Sequence, residues 1–488
     1  MRLALVGLAA ASLQAAVIRG VVVENLTGKP LSRAVVVLQP IEGTPGEQRS
    51  MRASSMGGFE FDSLASGTYI LRASRKGFLA AEFGQKRWNS AGRPVVLRDG
   101  ETAFLNVRLP RFSAIAGTIL DENEIGLPEH EVAAYRLRSP PELVATAKAD
   151  DRGRYRIHGL EAGAYVVRTV GKQYDDGAYL PTYSREAGEM RNAVRVDLLP
   201  EQELEHVDVR PAPGRLFSVV VDTAKSFPPG AEITITMASD TGRKSVQQAG
   251  YRFTGLAPGE YDFYAEAPVD DGILGAYQRI NLSKDSNVTL LASPSGSVYV
   301  SGVPEADSAK LWVRRKDMAG VGEAKAWPLR RGRASIPTGR WELFLAPPAG
   351  AYAAAIYGGA INRPYRQRAD GWNEAVSDRY RSMQFQLAGG AAALRGTVKS
   401  SGEMAAGAPV YLEGWDANEK ARVGDLRSTR TDARGQFRFE GLAPGSYRIV
   451  ATFEYLNPDV ETMDAAAQEI TVAAHAEKAM ELELYAIR

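Results

Sequence analysis

One pattern recurs along this chain with fixed offsets: two aromatic or branched residues separated by one spacer, then a leucine, then Gly-x-Tyr. Phe59-Glu60-Phe61 leads through Leu64 to Gly67-Thr68-Tyr69, and Tyr155-Arg156-Ile157 leads through Leu160 to Gly163-Ala164-Tyr165. A third copy runs Tyr251-Arg252-Phe253, Leu256, Gly259-Glu260-Tyr261, and a fifth runs Phe437-Arg438-Phe439, Leu442, Gly445-Ser446-Tyr447. Between them stands a decayed fourth, Ile336-Pro337-Thr338-Gly339-Arg340-Trp341. Leu64, Leu160 and Leu256 follow one another at intervals of 96 residues. Self-similarity at such a period means one structural unit per repeat, here of the size of an immunoglobulin-like domain, about 100 residues.

The pattern reads as a strand, a tight corner and another strand. Residues two apart share one face of a pleated strand, so the aromatic pair points to a core while its spacer meets water. The glycine supplies turn geometry that a Cβ resists. Alternation resumes beyond the corner, as in Tyr69-Ile70-Leu71-Arg72-Ala73 and Tyr447-Arg448-Ile449-Val450-Ala451. Each unit also opens on a short strand. Ile18-Arg19-Gly20-Val21-Val22, Ile115-Ala116-Gly117-Thr118-Ile119 and Leu394-Arg395-Gly396-Thr397-Val398 carry an internal glycine, which predicts a bulge or a close backbone approach. Many short strands with regular turns predict an all-β chain of about five tandem immunoglobulin-like or prealbumin-like β-sandwiches. The expected units are 17–110, 111–212, 213–293, 294–390 and 391–488, the third and fourth degenerate. Links such as Leu109-Pro110-Arg111 and Pro211-Ala212-Pro213 restrict bending. They predict an elongated particle.

The order of opening strand, Gly-x-Pro turn (Gly28-Lys29-Pro30), Val-rich strand, Asp-x-x-Gly hairpin (Asp150 to Gly153, Asp432 to Gly435) and Leu-x-x-Gly-x-Tyr corner resembles the carboxypeptidase regulatory-like domain. That family is similar in fold to adhesin B-type, transthyretin-like and starch-binding-like sandwiches. The resemblance implies a secreted bacterial protein carrying the domain in tandem. Fold does not fix function.

Composition narrows the field. With 59 Lys and Arg against 58 Asp and Glu in 488 residues, no large field exists to draw nucleic acid or an anionic membrane. Cysteine is absent, which excludes disulfides, thiolate metal sites and cysteine nucleophiles. Arg2, the apolar run Leu3 to Leu13 and Gln14-Ala15-Ala16 resemble a signal peptide over residues 1–16, predicting a secreted, periplasmic or cell-surface chain. No later stretch approaches the roughly 20 apolar residues of a membrane span.

Catalytic chemistry is thinly represented. His158-Gly159-Leu160-Glu161 has the spacing of a zinc pair, yet Leu160 is the corner leucine and no third ligand follows at motif spacing. Paired acids such as Asp150-Asp151, Asp175-Asp176 and Asp270-Asp271 diverge on an extended backbone and read as turn residues. No catalytic residue, metal site or cofactor is expected. Aromatic insertions after the corner strand remain: Trp88 beside Lys86 and Arg87, Tyr179 and Tyr183, and Tyr357, Tyr365 and Trp372 among arginines. Such segments are expected to fold back over sheet edges or fill domain junctions, where amphipathic rings are at home; the other reading is that exposed rings stack on sugars and proteins, and on it these six are the candidate ligand residues. The glycines and rings of the corners, Gly67 and Tyr69, Gly163 and Tyr165, Gly259 and Tyr261, Gly339 and Trp341, Gly445 and Tyr447, read as structural. The expected function is a non-enzymatic stalk or adhesion module whose partner is a cell-envelope protein or polysaccharide. The alternatives are a carbohydrate-binding protein and, remotely, a degenerate peptidase-associated protein.

Overall fold

The structure, a computed structural model, describes residues 15–137, 141–223, 226–240, 242–248, 250–269, 272–358, 371–418 and 420–487. Strands dominate it, and the described residues hold one α-helix, Val460–Ala466. Five hydrophobic cores follow one another along the chain. Each lies between two sheets of one recurring topology.

In the first unit the opening strand Ala16–Glu24 pairs antiparallel with the aromatic strand Gly58–Leu64 and parallel with the closing strand Thr102–Leu109. The same three roles fall to Ser113–Thr118, Arg154–Leu160 and Glu203–Leu204 in the second unit. In the third they fall to Phe217–Asp222, Tyr251–Leu256 and Ser286–Thr289. The fourth uses Gly296–Ser301, Arg333–Ile336 and Ser382–Gly389, and the fifth Ala392–Ser400, Gln436–Leu442 and Glu477–Glu483. Register repeats as well: Ile18 faces Phe61, Ile115 faces Ile157, Val219 faces Phe253 and Leu394 faces Phe439.

The opening glycine is explained by this pairing. A Cβ on Gly20 would strike the Leu105 carbonyl and the Phe59 ring, on Gly117 the Val207 carbonyl, and on Gly396 the Met480 carbonyl and the Phe437 ring. Of the two sequence expectations, close approach therefore holds at the glycine, and the register shift falls earlier, between Ala16 and Ile18 or Ala392 and Leu394. The second sheet of each unit is centred on the strand that leaves the corner. Gly67–Ser74 lies between Val35–Pro40 and the short Ala81–Glu82 and Val95–Leu97, and Gly445–Ala451 lies between Pro409–Asp416 and Gln468–Val472.

Residues 1–14 of the expected signal peptide lie outside the described residues. Ala16 is buried and pairs with Leu64, so cleavage after Ala16 would remove one residue of the first strand and leave its parallel ladder from Val17 onward. Pro213–Gly214 pairs with Gly177–Tyr179 of the second unit. Ala351–Gly358, at the start of the expected aromatic insertion, is a strand against Ser382–Gly389.

The expectation of an elongated particle is corrected by contacts between the first and last units. Ala91 is buried in the core of the fifth unit. Its backbone N–H donates to Phe453 O at 3.0 Å, and Leu456 N–H donates to Asn89 O at 2.7 Å. Arg430 pairs with Glu82 at 2.8 Å, Arg93 lies over the Phe453 ring at 4.8 Å, and Ala433 N–H donates to Glu42 O at 2.9 Å. Local proline stiffness does not set the global path when the two ends carry complementary surfaces. Replacing Ala91 by Arg together with Glu82→Arg puts unpaired charge into this contact. The double variant should keep its β-sheet circular dichroism while its maximum dimension in small-angle scattering increases; an unchanged scattering curve would contradict the closed arrangement.

Candidate functional site: corners, aromatic segments and a junction groove

The five corners share one geometry. Gly67, Gly163, Gly259, Gly339 and Gly445 have φ of 153°, 151°, 147°, 135° and 154°, a region essentially reserved for glycine. Two residues on, the ring turns into the core and its donor reaches back four residues. Tyr69 donates to Ala65 O, Tyr165 to Glu161 O and Tyr261 to Ala257 O, each at 2.8 Å, and Tyr447 to Ala443 O at 2.6 Å. Trp341 keeps the bond with Nε1, which donates to Pro337 O at 2.7 Å. A buried Tyr or Trp is expected to find a partner for its donor, and at every corner that partner is the carbonyl four residues earlier, a choice that the sequence pattern alone does not specify. Tyr165 is fully buried and Tyr447 half-buried. The corner residues are thus used up within their own units.

The zinc-like pair is part of one such corner. His158 is exposed and pairs in the ladder with Ala114. Glu161 binds Arg136 at 3.0 Å. Among the described residues no group of three or more metal-ligating side chains stands together, and no helix is long and apolar enough to cross a membrane. Asp150 Oδ1 accepts backbone N–H bonds from Arg154 and Arg152 at 2.8 and 2.9 Å, which hold its carboxyl below the usual range. Asp432 Oδ1 likewise accepts backbone N–H bonds from Gln436 and Arg434, both at 2.8 Å. These are turn-forming acids. Asp270 and Asp271 lie outside the described residues.

The six candidate ligand residues are scattered. Tyr179 sits in the second core, its hydroxyl 3.2 Å from Glu122. Tyr183 is buried against Tyr135 and Val166 on the outer face of the second unit's corner sheet, under Arg168. Neither ring is presented to solvent: of the two readings of these segments the fold-back applies here, and the exposed stacking surface does not, because the segment covers its own sheet. Tyr357 is half-buried on a strand opposite Gln384. Trp372 stacks on Arg314 at 4.1 Å, and Arg314 pairs with the fully buried Glu342 at 2.6 Å, so this ring caps an internal ion pair. Tyr365 lies outside the described residues. Trp88 lines a groove, a cavity of about 610 Å³ between the first and second units whose walls include Asn25, Asn89, Asn106, Arg108 and Glu201. The asparagines gave no sequence signal, since Asn25, Asn89 and Asn106 are far apart in the sequence of the first unit and come together only when it folds.

Beside Tyr179 lies a buried histidine. Nε2 of His130 is 2.9 Å from Val170 O and Nδ1 3.1 Å from the Tyr174 hydroxyl. The ring packs against Tyr174 and Tyr179 at 5.9 and 6.4 Å. Burial pushes its pKa down to about 4, against the partial support of the Val170 carbonyl.

Two predictions follow from these sites. Tyr165→Ala should destabilise the second unit by about 3–5 kcal/mol and Tyr165→Phe by about 1 kcal/mol, read as loss of one transition in calorimetry of the full chain. For His130 the folded state favours the neutral ring. The unfolded chain takes up a proton below about pH 6.5, so this stabilising contribution is complete above that value and lost as pH falls toward about 4. The loss amounts to about 3 kcal/mol, and urea melts of His130→Gln should show a flatter acid dependence than those of the native chain.

The Bacillus anthracis TIE protein is 14% identical, with 57% of this chain and 49% of that protein covered and a TM-score of 0.20; the chain thus spans about half that protein's length. The minor pilin GBS52 of Streptococcus agalactiae is 13% identical over 41% of this chain and 97% of the pilin, with a TM-score of 0.24. The shaft pilin SpaA of Lactobacillus rhamnosus GG is 11% identical over 41% and 98%, with a TM-score of 0.23. No curated protein matches the chain. The first and last units match the carboxypeptidase regulatory-like domain, over residues 17–110 and 393–484.

Proposed function

We propose that this chain is a non-catalytic interaction scaffold of the bacterial cell exterior, exported and built to hold binding segments in fixed relation. One observation carries the reading: the repeated residues are consumed by the five cores and corners, while the charged residues outside them tie one unit to the next. Arg243 pairs bidentately with Asp317 at 2.7 Å across the third and fourth units. Across the first and second, Asn25 donates to Glu201 at 2.6 Å and Arg111 pairs with Glu24. Arg168 reaches Asp240 across the second and third.

Surface segments held by such junctions are preorganised, which lowers the entropy cost of binding. Contact between the first and last units favours a closed scaffold over a stretched stalk. The mature full-length chain should cosediment saturably with cell-envelope fractions, and it should leave peptide substrates intact in their presence. A chain that stays in the supernatant, or that releases products from peptides, would overturn the reading.

A further inference from the structure

We propose that the groove between the first and second units binds a neutral oligosaccharide, with the Trp88 ring as its stacking platform. The inference rests on the scaffold reading above and gives it a ligand class.

The segment that carries Trp88 is tightly held. Gln85 Nε2 donates to Trp88 O at 2.9 Å, and Arg87 N–H donates to Ser90 Oγ at 3.0 Å. From outside, the fifth unit grips the same segment through Asn89 O and Ala91 N–H. Yet the Trp88 side chain remains 36% exposed. Among the described residues Trp327, Trp341, Trp372 and Trp415 each meet another ring or a cation; for Trp88 no such contact occurs. A large, partly exposed aromatic on a backbone held from both sides, at the wall of a groove, is suited to an apolar sugar face.

Around it stand carboxamides rather than free charges. Asn25, Asn89 and Asn106 line the groove, and amides offer both donors and acceptors to hydroxyl groups. The charged lining groups are already engaged. Glu82 pairs with Arg430 at 2.8 Å, and Lys86 and Arg87 lie 3.6 and 3.8 Å from Glu454. Arg108 donates to Asn25 O at 3.1 Å, and Glu201 accepts from the Asn25 side chain at 2.6 Å. Because each of these charges already has a hydrogen-bonding or ionic partner, a neutral polyhydroxylated ligand fits the groove with less rearrangement than a charged one. The volume, about 610 Å³, falls within the roughly 300–1,000 Å³ of small-ligand sites.

The test uses the full-length chain with short neutral gluco-, manno- and galacto-oligosaccharides, followed by calorimetric titration and tryptophan fluorescence. At least one should bind, and Trp88→Ala and Asn106→Ala should each weaken it roughly tenfold or more. Trp312→Ala, which removes a similarly exposed ring of the fourth unit outside the groove lining, should leave binding unchanged. The proposal falls if no neutral oligosaccharide binds, if binding ignores Trp88→Ala, or if the groove takes a peptide or an anionic polysaccharide instead. Envelope cosedimentation that persists in Trp88→Ala would then leave the scaffold reading standing while removing this one.

Discussion

In every unit the last strand returns parallel to the first, and the rest of the structure depends on that return. A parallel pair needs a crossover, and here the crossover is the entire second sheet with its corner. The two strands lie close because the opening strand presents a glycine where the closing strand's carbonyl comes nearest, at Gly20 against Leu105, Gly117 against Val207 and Gly396 against Met480. The same glycines leave room for the aromatic strand's first ring. Once the return is made, the core is enclosed, and the corner ring seals its end with a bond to its own turn. The degenerate units keep the topology with other residues: Ser218 takes the glycine position in the third, where Asp285 accepts from its N–H at 2.7 Å.

The second sheet then has an outer face to cover, and the alternation that fills the core determines what lies there. Tyr261, Phe263 and Ala265 point into the third core, so Asp262, Tyr264 and Glu266 point away. Asp262 is fully buried, bonded to Arg279 and to Met318 N–H of the fourth unit; the Tyr264 ring lies under Arg315 at 4.0 Å. In the fifth unit Arg448 and Val450 face outward and are covered by the helix Val460–Ala466, with Met463 on Tyr411 and Val450. Arg448 pairs there with the fully buried Glu413 at 2.6 Å. Buried ion pairs repay their desolvation poorly, and breaking one by removing a partner is costly. Their effect at these faces is to permit one docking geometry and penalise others.

This division explains what could be read from the chain. Opening strands, aromatic pairs and corners were legible because their determinants are local: period-two alternation, a glycine that must adopt positive φ, a turn-forming Asp. The junctions were not. Glu82 and Arg430 stand 348 residues apart and each looks like a solvated strand charge. The small-residue run from Ala351 to Ala355 shows no alternation, so its strand was read as part of an insertion. The candidate site was legible in part: Trp88 stands out as an aromatic among cations, but of its asparagine neighbours only Asn89 is local, Asn25 and Asn106 coming from distant parts of the first unit, and local pattern does not decide between an exposed ring and the fold-back that buries Tyr179 and Tyr183. The helix had a cap in view, Asp459 accepting from Thr462 N–H at 2.8 Å, but its seven residues are too few for propensity to assert itself without packing.

If the repeated residues are consumed within each unit, what distinguishes one unit from another lies between the corner strand and the closing strand. There the first unit carries the segment from Glu82 to Arg93, which forms one wall of the groove and also grips the last unit. The second carries the tyrosines that cover its own sheet, the third a long hairpin docked on the fourth, and the fifth its helix. Four of these crossovers thus differ in what they cover, and the first leaves a ring in the open. Ligand recognition and ring closure therefore depend on the same short stretch of chain. A change in how the last unit holds Asn89 and Ala91 would move the platform beside them, so the two ends of the molecule are physically coupled at the groove.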